Sequence, residues 1–109
     1  MSPVQPLLWH FAYTLDHIYH ERYEAALAKV LKIKAERYYM THVMRATNYG
    51  HLGRLEEGWK SVELASELKP DFPATVHQDF RRRNVPEPII ARIVDGLRKA
   101  GMELELSGQ

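Results

Sequence analysis

The chain has 109 residues, with 15 Lys+Arg against 14 Asp+Glu and a formal net charge of +1, so it is long enough for one domain and carries no global field that would draw it to nucleic acid or an anionic membrane. It has no cysteine, which excludes disulfides, thiolate nucleophiles and thiolate metal sites and fits a reducing compartment. No apolar stretch approaches the ~20 residues that span a bilayer, and Met1 to Leu8 lack the pattern of a leader, so a soluble cytoplasmic protein is expected.

Helical spacing of apolar residues dominates, with glycine and proline mostly at segment borders. A first helix is expected from about Pro6, with Leu8, Phe11, Leu15 and Ile18 on its apolar face. A second starts near Arg22 and turns Tyr23, Ala26, Leu27, Val30 and Ile33 inward. The third, from about Glu36 to Leu52, carries Tyr39, Val43, Ala46 and Tyr49 on one side and Met40, Met44 and Thr47 on the adjoining one, as a helix buried on two flanks does. After Gly53 a fourth helix places Leu55, Trp59, Val62, Ala65 and Leu68 inward and stops at Pro70. Phe72, Val76 and Phe80 mark a fifth, closed by the run Arg81, Arg82, Arg83, Asn84. Pro86 and Pro88 start a sixth, which buries Ile89, Ile90, Ile93, Val94 and Leu97 and ends at Gly101.

Set against itself, the chain aligns Glu21 to Leu27 with Gly53 to Trp59, and Val30 with Val62, at an offset of 32 residues. Two amphipathic helices per unit at such a period signal an α-solenoid, in which each hairpin needs neighbours to cover its apolar faces. The unit from Tyr39 to Phe72 resembles a tetratricopeptide repeat through Tyr49, Gly53 at the turn, Gly58 and Ala65 where helices approach closely, and Pro70 at the end. More narrowly, Leu52 to Glu57, Pro70 to Phe72 and Asp95 to Gly101 resemble the C-terminal tetratricopeptide region of bacterial nucleotide-cyclase-like signalling proteins, a likeness covering roughly Ala12 to Met102. That resemblance implies a regulatory or docking portion without cyclase activity, since no catalytic segment is present. His42 and Arg45-Ala46 depart from the family pattern, and the earlier unit is degenerate, with Glu21 in place of the turn glycine and His17 in place of the tyrosine.

The expected fold is therefore all-α: one tetratricopeptide-like domain over residues 1–109, with a degenerate repeat at 7–38, the best repeat at 39–72, capping helices at 73–102 and a tail at 103–109. By helix position, the resemblance puts Phe11, Leu15, Met40, Val43, Met44 and Thr47 on a concave face suited to a protein or peptide with an apolar segment; the competing reading is that these residues are ordinary core.

Other chemistries have weaker support. His10, His17 and His20 share one helix face but lack a ligand set that would close a metal site. Arg81, Arg82 and Arg83, with Arg92, Arg98 and Lys99, could form a phosphate-binding edge, but the near-neutral charge argues against nucleic acid and favours a solvated helix end whose arginines can be replaced at little cost to stability. No serine or threonine sits in a strained elbow, and Glu56-Glu57 opens an ordinary helix, so no catalytic or cofactor-binding residue is assigned. Gly58→Ala is expected to leave stability unchanged or raised. The first helix is apolar on more than one side, which predicts a homodimer anchored by Leu8, Trp9 and Phe11, or self-association as the chain's whole role.

Overall fold

A computed structural model of the chain describes the backbone of residues 4–104 and the side chains of residues 11–104. Among these, six α-helices and no strand follow one another: α1 (Val4–Tyr19), α2 (Tyr23–Leu31), α3 (Tyr39–Leu52), α4 (Leu55–Leu68), α5 (Phe72–Arg82) and α6 (Glu87–Lys99). Their ends follow from local chemistry. Pro73 and Pro88 lie in the first turns of α5 and α6, where a missing N–H removes no helical hydrogen bond. The third helix begins at Tyr39, later than the Glu36 its apolar spacing suggests. Glu36 is held outside it: Arg45 grips both carboxylate oxygens at 3.1 and 3.2 Å, and His42 Nε2 donates to its carbonyl at 2.8 Å. No described helix is long and apolar enough to cross a membrane.

The helices pair into three hairpins whose turns share one geometry. Glu21, Gly53 and Asn84 all have left-handed backbones, with φ of 57°, 76° and 62°, and stand 32 and 31 residues apart. In each case the next residue's N–H reaches back five residues: Arg22 to the His17 carbonyl, Arg54 to Tyr49 and Val85 to Phe80, at 2.8 to 3.0 Å. These bonds satisfy carbonyls that a helix end leaves without partners. Gly53 takes this conformation freely, Asn84 with little difficulty, and Glu21 against a steric cost of about 1–2 kcal/mol. The first hairpin thus turns with the same geometry as the second although no glycine stands there.

Helix α3 is the centre of the molecule. It packs along α4 and α2, and its remaining side is covered by α6, which also touches α1. The third hairpin is splayed, so α5 and α6 meet over a short stretch and α6 is free to reach α3. Met40, Val43, Met44, Ala46 and Thr47 are all fully buried, and with Ile18, Val30, Phe72, Phe80, Ile90, Ile93 and Leu97 they form the core. At the α3–α6 crossing two glycines face each other. A methyl group on Gly50 would collide with the Gly96 carbonyl, and one on Gly96 with the Thr47 carbonyl and the His51 ring. Only residues without a Cβ allow these backbones to touch.

The fourth helix corrects an expectation. Gly58, Ser61, Val62 and Ala65 are its buried residues, whereas Leu55, Trp59 and Leu68 are 53, 48 and 41% exposed. Its apolar stripe is wider than the surface α3 offers to cover it.

The close approaches set two stability outcomes. Gly96→Ala is expected to lower the urea midpoint sharply, because the obstacles are backbone atoms and overpacking of this kind costs about 1–3 kcal/mol or more. Gly58→Ala, expected from sequence to be tolerated, brings a methyl to 3.0 Å from Ala100 Cβ and 3.2 Å from Tyr49 Cβ. The helix-propensity gain of roughly 0.5–1 kcal/mol is then outweighed, and a loss smaller than that of Gly96→Ala is expected. A Gly96→Ala protein as stable as its parent would contradict the crossing.

Candidate functional site

The six residues expected on a concave face divide. Val43 and Thr47 are interior, the Thr47 hydroxyl donating to the Val43 carbonyl at 2.9 Å, so they present no surface to a peptide. The side of α3 that includes Thr47 is closed by α6 of the same chain, which lies where an external helix was expected. Leu15 is half-buried against the core. Phe11, Met40 and Met44 do come together, around a crevice of about 50 Å³ that they share with Ile33, Tyr38, Thr41 and Arg83. Leu8 and Trp9, the other expected anchors of self-association, lie outside the described side chains; Phe11 is half-buried, with the Arg83 guanidinium 5.8 Å over its ring. Among the repeat positions, Tyr49, Gly58 and Ala65 are buried, and Gly53 and Pro70 are exposed at the ends of α3 and α4.

Beside the crevice is a polar network that composition and spacing do not reveal. Asp79, in the middle of α5, is 6% exposed. The Tyr39 hydroxyl donates a short hydrogen bond to its Oδ2, and Arg83 Nε donates to its Oδ1 at 2.7 Å. Arg83 closes the ring by donating to the Tyr39 hydroxyl at 3.1 Å. A buried carboxylate needs such partners, since an unpaired one is strongly destabilising. Burial, followed by the hydrogen bond to Asp79, pushes the Tyr39 hydroxyl up to about 12. Burial works against the charge of Arg83, but its bonds to Asp79 and Tyr39 prevail and hold the guanidinium protonated more firmly than usual.

This network changes the reading of the basic run. Arg83 belongs to the interior as much as to the surface, and Arg81 forms a two-pronged pair with Glu87 at 2.9 and 3.1 Å. The run is largely neutralised within the chain, which weakens it as a phosphate-binding edge. Arg92 is likewise engaged by Glu21 at 3.8 Å and by the Pro88 carbonyl, while Lys99 pairs with Asp95 at 3.1 Å. His51, unmarked in the sequence, stacks on Tyr23 at 4.0 Å and donates through Nε2 to the Arg92 carbonyl at 2.6 Å, tying α2, α3 and α6 together. Among the described residues, no three His, Asp or Glu side chains come together as a metal cage would need.

The remaining feature is the outer side of α4. Leu55 and Trp59 form one flank, Leu64 and Leu68 the other, and Glu56, Lys60, Glu63 and Glu67 form the ridge between them. The surface past Trp59, Val62, Leu64 and Ser66 along this ridge is open and shallow, with α4 alone lining it. Four of the seven large hydrophobic side chains most exposed among the described residues belong to this one helix.

Two outcomes test the network. Arg83→Gln is expected to cost about 1–3 kcal/mol in urea unfolding, discounted for the partial exposure of Arg83, while Arg82→Gln costs a few tenths. This corrects the expectation that all three arginines are dispensable. In an absorbance titration, one tyrosine should ionise near 12, against an ordinary value of 10.0, and that step should vanish in Tyr39→Phe. The folded chain holds this proton more tightly than the unfolded one. The linked stability is therefore whole below pH 10 and lost as pH rises through 12.

Comparison of the chain with protein-family models, curated proteins and solved structures finds no match.

Proposed function

We propose that the chain is a non-catalytic docking module, a tetratricopeptide-like α-solenoid of hairpins that binds another protein through α4 in an aqueous, reducing compartment such as the cytoplasm. The observation that carries this reading is the exposed set Leu55, Trp59, Leu64 and Leu68 flanking an acidic ridge on one helix. The three equivalent hairpin turns at spacings of 32 and 31 support the repeat character, and the absence of cysteine suits the compartment.

The ridge argues for the kind of partner. Glu56, Glu63 and Glu67 outnumber Lys60, and Glu57 is already held by Arg54 at 2.6 and 2.8 Å. A second copy docking α4 against α4 would bring carboxylates together in a desolvated contact, which like-charge repulsion disfavours. A segment with apolar anchors and Lys or Arg beside them, such as a basic amphipathic helix, complements both features. Trp59 is the natural anchor, being aromatic, half-exposed and seated beside Gly101, where a Cβ would come within 2.8 Å of its ring.

Selection from a displayed library of random helical peptides provides the test. Enrichment of sequences that pair apolar residues at helical spacing with basic ones is expected, together with at least tenfold weaker binding by Trp59→Glu at unchanged helicity. Selected peptides indifferent to Trp59 would refute the reading. Sedimentation of the unaltered chain should show a monomer at ~100 µM; a dimer abolished by Trp59→Glu would make a second copy the occupant, and one abolished by Phe11→Ser would move the interface to α1.

A further inference from the structure

The basic side chains divide by location. Nine of the 15 Lys and Arg stand within 4.0 Å of a carboxylate, while Lys29, Lys32, Lys34, Arg37, Arg82 and Arg98 have no such partner among the described residues. Four of these six fall within nine residues, in the last turn of α2 and the connection to α3. The one carboxylate of that stretch, Glu36, is turned to Arg45, which it holds at 3.1 and 3.2 Å, and so does not offset them. Residues 1–10 contain no Asp or Glu, so the N-terminal part of α1 brings no carboxylate there. The end of α5 adds a further cation. Arg83 lines one crevice with Ile33 and Tyr38 of the connection, and its neighbour Arg82 is exposed.

Cations at a helix C-terminus are favoured by its dipole, which accounts for Lys29 and Lys32. Lys34 and Arg37 lie beyond the helix, and the mutual repulsion of the group is not compensated within the chain. Lys32, Lys34 and Arg37 are exposed, and Leu31 beside them is 47% exposed, so the surface offers positive charge and an apolar side chain together. That combination selects among anions. Lasting attachment to a bilayer takes a second signal besides a polybasic patch, such as an acyl chain, and one leucine does not supply it. Single-stranded nucleic acid binds through open aromatic rings on which bases stack, whereas the exposed ring joined to this patch, Tyr13, already has Lys29 5.1 Å from its centroid. An acidic protein segment needs only what is present, cations in a complementary field and an apolar side chain to cover. We propose that the end of α2 and the α2–α3 connection dock an acidic peptide segment, with its carboxylates on Lys32, Lys34 and Arg37 and an apolar side chain on Leu31. The patch is opposite in sign to the ridge of α4, so the two surfaces select different partners and neither reading depends on the other.

Titration of the 15N-labelled full chain with a short synthetic polyglutamate peptide carrying two leucines, at physiological ionic strength, tests this. The backbone amides of Leu31 to Arg37 should shift and saturate, while those of Glu56 to Leu68 on α4 stay in place. Lys32→Gln, Lys34→Gln and Arg37→Gln together should weaken binding at least tenfold, and Leu31→Ser at least threefold. All four side chains are exposed, so these variants should fold, which circular dichroism checks. Arg98→Gln, which removes an unpaired cation of α6, should leave binding unchanged and so separates this site from general attraction between charged molecules. The proposal fails if the peptide does not saturate, if a leucine-free polyglutamate binds equally, or if Arg98→Gln weakens binding as much as the triple change. It fails too if phosphatidylserine vesicles or oligothymidylate bind these amides more tightly than the peptide, or if the amides shift on concentrating the chain alone, which would make a second copy the occupant.

Discussion

The crossing of α3 and α6 at Gly50 and Gly96 is the constraint on which the rest of the molecule depends. It brings backbone against backbone, so α6 sits deep enough for Ile90, Ile93 and Leu97 to complete the core around α3. Van der Waals attraction falls off steeply with distance, and a separation increased by one methyl group along this line would loosen every side chain packed on either helix. The same approach places His51 against the Arg92 carbonyl and so fixes how α6 is rotated about its axis. The splayed third hairpin is the price of that position.

Two polar devices hold the two ends of this arrangement. At one, Tyr39, Asp79 and Arg83 lock the start of α3 to α5 across 40 residues of sequence. At the other, His51, Tyr23, Arg92 and Glu21 join the first hairpin to α6. Each combines a buried or half-buried polar group with an aromatic ring, which specifies orientation where apolar packing alone tolerates sliding. The strained backbone of Glu21 belongs to the second device: its left-handed turn is where a side chain is available to face Arg92.

Much of this was legible in the sequence because helix ends have local causes. Gly53, Pro70, Pro88 and Gly101 mark borders by conformation alone, and the spacing of Ile89, Ile90, Ile93, Val94 and Leu97 reports a buried stripe without reference to any neighbour. The start of α3 was misplaced because the pull of Arg45 and His42 on Glu36 is tertiary in origin. Which stripe meets which was the harder question. Helical spacing showed that Met40, Val43, Met44 and Thr47 avoid water, but it carries no information on whether the cover comes from the same chain. Asp79 on the same face of α5 as Phe72, Val76 and Phe80, and the glycines at positions 50 and 96 in helix interiors, were the available signals; each looks like a weakness until its partner is known.

The position of α6 also bears on how the molecule comes into being. During synthesis the chain emerges from its N-terminus at about 5–20 residues per second, and the first two hairpins are exposed before the residues that cover α3 have been made. The side of α3 that carries Thr47 and Gly50 must wait for a segment more than 30 residues beyond its own end. Local helices form in about a microsecond or less, so that interval is long on the scale of the elementary steps and leaves a surface that is buried in the finished fold exposed in the nascent state. Closure of α6 over α3 and α1 is thus a non-local step, in contrast to the local pairing of each helix with the next.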